Sequence, residues 1–263
     1  MDPILIGLII YLAIIFIISI VHAKKIKGSS KNFILAGGTL SFVFVLFAEM
    51  EQAVDGNATL GVVNITRDFG FWSAMAIPIG LGLSLILAGI FFAKPLRDLK
   101  LITISDFFRI KFGERIEIIA SLLMIISFAV LLSGNLAAVA IILGKIFGLS
   151  FFYSIILSFL FIFIYTYLGG FYSDVVTDPI QVLTFFIGIL GALALIIINH
   201  GTSLFTHASS YSLTQFTLSQ NGAVINWATI IALGLGDIIA VDFINRILSA
   251  KKTSYAQKGA IIG

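Results

Sequence analysis

Five stretches without a single Asp, Glu, Lys or Arg decide what this chain can fold into: 3–21, 69–93, 118–144, 146–173 and 179–236. Each is long enough for one or more helices of roughly 20 residues, the length that crosses a hydrocarbon core. Their Ile, Leu and Phe residues do not alternate strictly with polar ones, which argues for helices over a β-barrel. With 59% hydrophobic and 11% charged residues and a mean hydropathy of +1.12, the chain lies far outside the composition of soluble domains. It reads as an all-α, multi-pass integral membrane protein. The first run has no basic leader before it and no small-residue cleavage site after it, so it reads as a retained helix and not a signal peptide. The absence of cysteine excludes disulfides and thiolate metal sites. The formal charge of +3 asks for no nucleic-acid partner, because the basic residues sort by loop.

About seven spans account for the runs, at 3–22, 41–65, 70–93, 117–144, 150–168, 176–199 and 226–248, in one transmembrane domain covering 1–263. The loops that share one side then hold Lys24, Lys25, Lys27 and Lys31, next Lys94, Arg97, Lys100, Arg109, Lys111 and Arg115, and finally Arg246, Lys251, Lys252 and Lys258. That is 14 of the 16 basic residues. Only Arg67 and Lys145 fall on the other face. By the positive-inside rule the N-terminus is outside and the chain ends in the cytoplasm of a cell-membrane protein. Between the third and fourth spans, Thr103 to Phe108 alternates capping residues with apolar ones, which predicts a short amphipathic helix on the cytoplasmic surface with a structural role. The uncharged loop 200–226 suits an extracellular connection. His200 and His207, seven residues apart on that loop, make a weak metal pair, and no metal site is expected. Ala74, Ala76, Gly80, Gly82, Ser84, Ala88 and Gly89 are small residues that allow close helix packing.

Within span 41–65 the stretch Phe47 to Gly61 carries Glu49, Glu51 and Asp55 with Gln52, Asn57 and Thr59. An acid at that depth needs a partner, an ion or a water-filled cavity. Asp55-Gly56-Asn57 favours non-helical backbone, and a mid-membrane break is tolerated only where it is buried in protein or lines a cavity. Carbonyls freed there, with carboxylates, are hard oxygen ligands suited to an alkali cation. Glu51 and Asp55 share a face if the helix persists that far, whereas Glu49 lies nearly opposite Glu51. The other reading of these acids is a protonated, hydrogen-bonded structural role. A second interruption stands at Gly234-Leu-Gly236-Asp237, in a span that crosses in the opposite direction. Asp237 is the stronger functional candidate there, since Asp242 and Arg246 are also spaced for a simple helical ion pair. At the junction of the fifth and sixth spans, Gly169-Gly170 predicts a tight turn, with Ser173 or Asp174 capping the next helix. Asp178, one turn further on, either lines an ion path or is favoured by the helix N-terminus. No HExxH, GxSxG or His-carboxylate cluster points to an enzyme.

That junction resembles the sodium/solute symporter family, which includes sodium-coupled sugar, proline and pantothenate carriers. The family pattern is close to Y-T-x-x-G-G followed by T-D-x-x-Q, and Tyr165, Thr166, Gly169, Gly170, Thr177, Asp178 and Gln181 all match it. Phe33 to Gly38, Gly56 to Gly61 and Asn245 to Lys251 agree in order and spacing. The resemblance implies a LeuT-type inverted-repeat fold with an extra N-terminal helix at 3–22, a first five-helix repeat over 41–199 and the start of a second over 226–263. It implies Na+ as coupling ion, with a proton possible. By position, backbone carbonyls of Glu51 and Val54 would hold sodium, Asp55 would belong to the coupling region, and Asp178 would stand on the ion's exit route. Solute would lie near Asn57, Ala58, Gly236 and Asp237. Members usually carry small or neutral residues where Glu49, Glu51 and Asp55 stand, which leaves open the coupling ion or the solute. They also place an ordinary apolar residue where Pro179 follows Asp178. The family needs further spans, and the chain stops at Gly263 as another would begin. The expectation is therefore the N-terminal part of a sodium-coupled symporter of a small organic solute, in the lipid bilayer, completed by a C-terminal half or a second half-transporter. The alternative is a symporter-like sensor domain of a signalling protein.

Overall fold

The computed structural model describes residues 3–23, 28–201 and 213–263. Lys24, Lys25, Lys27 and His207 lie outside the described residues. Among those described, the chain is helical with no named strand, and one isolated parallel β-bridge joins Leu40 to Ala250.

The first helix, α1 (Pro3–Ala23), is apolar all round. A short α2 (Ser30–Leu35) is capped by the Ser29 hydroxyl, which accepts from Asn32 N, and it ends at Ala36 in the left-handed conformation. Next come α3 (Phe42–Gln52) and α4 (Gly56–Phe69), separated by a break at 53–55. At 11 and 14 residues, neither half reaches across a membrane alone. A long segment follows, made of α5 (Phe71–Leu87), a π turn over Ala88–Phe92 and α6 (Ala93–Asp98). The π turn receives the last helix closely: a Cβ on Gly89 would lie 3.0 Å from the Gln257 carbonyl. Of the small residues expected to pack tightly here, all are buried except Gly82.

The amphipathic helix expected near Thr103 is α7 (Ile104–Phe112). It opens on a capping box in which the Asp106 carboxylate accepts from Thr103 N at 2.9 Å. Its apolar side turns to protein: Ile104 is buried, Phe107 and Phe108 join the core, and the Ser121 hydroxyl bonds Ser105 at 3.0 Å. α8 (Glu114–Phe147) and α9 (Phe151–His200) come next. At 50 residues, α9 would be about 75 Å long if straight, far more than a bilayer core needs. It is two helices joined at Gly170 (φ 49°, ψ −159°). Both arms lie along α1: Phe161 meets Phe16 with ring centroids 6.0 Å apart, and the Ser173 hydroxyl donates to the Ser19 carbonyl at 3.0 Å. The arms match the expected spans 150–168 and 176–199. The expected cap does not form, because Ser173 is spent on α1 and Asp174 reaches an arginine across the bundle.

The remaining elements are α10 (Thr214–Thr217), α11 (Ala223–Gly236), α12 (Val241–Ser249) and α13 (Thr253–Ile262). By length and composition, α1, α5 to α6, α8 and α9 can each cross a membrane, and the pair α11 and α12, bent by 44°, makes a fifth candidate. The buried core gathers where α2, α3, α6, α7, α12 and α13 converge, around Leu35, Val45, Leu96, Ile104, Ile244 and Ile247. Two hydrogen bonds pin the start of α3 to the end of α12 there: Leu40 N to Ser249 O at 3.0 Å and Lys251 N to Leu40 O at 2.8 Å. α8 and α9 turn long rows of Ile, Leu and Phe outward, as lipid-facing helices do.

Candidate functional site

The break between α3 and α4 comes from its own residues. Asp55 is extended (φ −98°, ψ 171°) and caps α4, its carboxylate accepting from Ala58 N. From α8, Asn135 braces this turn with both ends of its amide, donating to Asp55 at 2.8 Å and accepting from Asn57 N at 3.0 Å. The helix therefore does not persist to Asp55, so the condition for Glu51 and Asp55 to share a face is not met. At the end of α3 the Glu49 carbonyl accepts from Ala53 N at 3.3 Å and the Glu51 carbonyl from Val54 N at 3.0 Å, a tightened last turn. At the second break, α11 passes through a 3-10 turn at Asp237–Ile239 to the extended Ala240 before α12 begins.

The two breaks meet. Gln52, the last residue of α3, donates to the Asp242 carboxylate at the start of α12 at 3.0 Å. Beside this contact opens a cleft of ≈ 980 Å³. Asp55, Asn57, Ala58, Gly236, Asp237 and Asp242 line it, with Phe108, Phe128 and Phe243 among the walls and, among the described residues, no basic side chain. All four positions named for solute thus face one space. Glu51 and Val54 face another, a ≈ 460 Å³ cleft shared with Tyr11 of α1 and with Gln181 and Phe185 of α9. Asp178 is fully buried, and neither of its carboxylate oxygens has a hydrogen-bond partner among the described residues. One contact in the family-like motif ties the two arms of α9 together, the Tyr165 and Thr177 hydroxyls 2.8 Å apart, and within the second arm Gln181 donates to Thr177 at 3.0 Å. Among the described residues no group of three His, Cys, Asp or Glu side chains is arranged to hold a metal ion.

Arg246, which the loop count assigns to the cytoplasmic side and the four-residue spacing pairs with Asp242, is instead buried at 4% exposure between helices. Its Nε donates to the Ala48 carbonyl at 2.8 Å and Nη1 to the Asp242 main-chain carbonyl at 3.1 Å. Nη2 lies 3.5 Å from Glu51 and 3.6 Å from Asp174, and the guanidinium carbon sits 5.5 Å from the Phe171 ring centre. The Asp242 carboxylate takes Gln52 instead. One available signal was the company Arg246 keeps, since Phe243, Ile244, Ile247 and Leu248 surround it in sequence and all are buried. The charges of Asp174, Asp178, Glu51 and Glu49 act on this one arginine. Around Arg246, acids therefore outnumber bases among the described residues, an imbalance that calls for protons or bound cations.

A family model described as Sodium:solute symporter family matches residues 33–263. The chain is 26% identical to the high affinity choline transporter 1 of Homo sapiens over 96% of its own length and 46% of that protein. It is 30% identical to the high-affinity choline transporter 1 of Drosophila melanogaster over 70% of this chain and 30% of the relative. To the sodium/proline symporter 2 of Staphylococcus saprophyticus it is 23% identical over 97% of this chain and 52% of that one. The chain spans about half the length of the curated relatives it matches across nearly all its residues.

Proposed function

Because the chain belongs to the sodium:solute symporter family, we propose that it forms part of a sodium-coupled symporter that moves a small organic solute by alternating access. The observation that carries the reading is the meeting of two broken helices beside one cleft, with Asn57, Ala58, Gly236 and Asp237 on its wall. Discontinuous helices at a repeat interface are where secondary transporters bind solute and ion. In this reading α3 to α9 form the first LeuT-type repeat, with α9 crossing twice, and α11 and α12 open the second. α1 is the additional helix, for seven spans in all. The N-terminus is outside and residue 263 lies on the cytoplasmic side.

Sodium is held by the carbonyls of Glu51 and Val54, and Asp178 marks its way out. Asp55 supports the site by holding the break open as the cap of α4. The solute is a small organic cation or zwitterion, because Asp237 and Asp242 line the cleft and, among the described residues, no basic side chain does. The relatives' names carry one of each, choline and proline. The test is uptake of labelled choline and proline by the complete protein in proteoliposomes under a sodium gradient. Uptake that rises with inward sodium is expected for at least one of the two. Equal uptake of both with potassium in place of sodium would overturn the coupling.

A further inference from the structure

Asn135 belongs to none of the motifs read from the sequence. It stands half-buried on α8, and its one side chain reaches both sides of the turn that opens α4. Nδ2 donates to Asp55 Oδ2 at 2.8 Å, and Oδ1 accepts from Asn57 N at 3.0 Å. The other Asp55 oxygen, Oδ1, accepts from Ala58 N. Both oxygens of this cleft-lining acid are therefore engaged in shaping the backbone around them.

α8 lies close along the whole turn. A Cβ on Gly134 would come 3.2 Å from the Asn57 side-chain amide, and one on Gly56 would come 3.4 Å from the Ala138 Cβ. Gly134 and Ala138, four residues apart, share a face of α8, and residues 55–57 rest against it. The requirement on the bracing side chain is narrow. A carboxylate accepts and a main-chain N–H donates, so the group between them must donate and accept at once. A second carboxylate there would face Asp55 with like charge, and an apolar side chain would leave a donor and an acceptor unmet. Asn57 and Ala58, held in this way, stand on the wall of the ≈ 980 Å³ cleft, whereas Asn135 is not one of the described residues that line it.

Resting on the symport reading, we infer that Asn135 is a positioning residue for the solute. By clamping the first break to α8 it fixes where Asn57 and Ala58 stand in the cleft, and it touches no solute itself.

The test exchanges the two side chains. Asp55→Asn combined with Asn135→Asp keeps every hydrogen bond: the new amide accepts from Ala58 N and donates across to the new carboxylate, which accepts from Asn57 N. A thiol placed by Ala58→Cys in the complete protein, held in lipid nanodiscs, is alkylated with a small water-soluble cationic reagent. Its rate is read by mass spectrometry of that peptide. Gly236→Cys, where a Cβ meets nothing within 4 Å, reports on the other broken helix. Asn135→Ala should raise the rate at Ala58→Cys several-fold and leave that at Gly236→Cys unchanged, and the exchanged pair should restore it. Asn135→Asp against the exchanged pair makes the same comparison if the alanine variant does not fold. An unchanged rate at Ala58→Cys, equal changes at both positions, or no recovery in the exchanged pair would each overturn the proposal. In uptake of choline and proline without the thiols, Asn135→Ala should raise KM for the transported solute about tenfold with a smaller fall in kcat. An unchanged KM would also overturn it. Alkylation needs neither sodium nor solute, so a wild type without sodium-driven uptake would refute the symport reading and leave those rates standing.

Discussion

Replacing Arg246 with Met keeps much of the side-chain volume and removes every polar contact the guanidinium makes. Lost are a short charge-assisted bond to the Ala48 carbonyl at 2.8 Å, a second to the Asp242 carbonyl at 3.1 Å, and the ion pairs to Glu51 and Asp174. The pairs, at 3.5 and 3.6 Å, are longer than tight hydrogen bonds, so attraction between charges and not directional bonding is their main content. Breaking one side of a buried charge network costs about 3–5 kcal/mol, mostly because the remaining charges stay buried without compensation. At about 2–4 °C per kcal/mol for a chain of this size, the melting temperature should fall by on the order of 10 °C. Thermal unfolding of the detergent-solubilised protein, followed by fluorescence-detected size exclusion, reads this directly. Adding Glu51→Gln to Arg246→Met should recover part of the loss, with a coupling of about 0.5–3 kcal/mol. A melting temperature for Arg246→Met within a degree or two of wild type would show that Arg246 does not hold α3, α9 and α12 together.

Gly170→Ala should cost about 1–3 kcal/mol by thermal unfolding, because φ is 49° and the new Cβ would meet the Phe33 carbonyl at 2.8 Å; wild-type stability would refute the turn. Asp55→Ala should lower stability by about 1–2 kcal/mol through loss of the α4 cap, while Asp55→Asn, which still accepts from Ala58 N, should lose less. If the two variants unfold alike, the cap is not what Asp55 contributes. Asp237→Asn should leave the melting temperature within about 0.5 kcal/mol equivalent of wild type, since Asp237 faces the cleft and not the core. Under the proposed function it should also weaken uptake of a cationic solute by the complete protein about tenfold, the equivalent of 1.4 kcal/mol, with less effect on a zwitterionic one. Equal effects on both solutes would remove Asp237 from charge recognition.

Much of this was legible in one dimension because membrane helices are specified locally. Runs of Ile, Leu and Phe without charge have no stable alternative to helices in lipid, so their existence follows from composition and length. Local chemistry also marked where helices stop. Asp55 and Gly56 interrupt α3 and α4, Thr103 and Asp106 start α7, and Gly170 turns α9. The same break removes the condition under which Glu51 and Asp55 would share a face, because the residues that end the helix also cancel its periodicity. Ser173 and Asp174 were assigned to a cap by spacing alone, and contacts with α1 and Arg246 claimed them first.

Pairing across the fold was beyond a linear reading. Arg246 stands 195 residues from Glu51 in the chain, and a four-residue spacing to Asp242 looked sufficient until the helices converged. The apolar helices, the caps at Asp55 and Thr103 and the interruptions were readable from local residues, because those depend on each residue's transfer energy and its neighbours' backbone preferences. It took the assembled helices to bring residues of both interruptions onto one cleft and to set Arg246 between Glu51 and Asp174. Burial and electrostatics depend on which helices meet, and that is a property of the assembled chain.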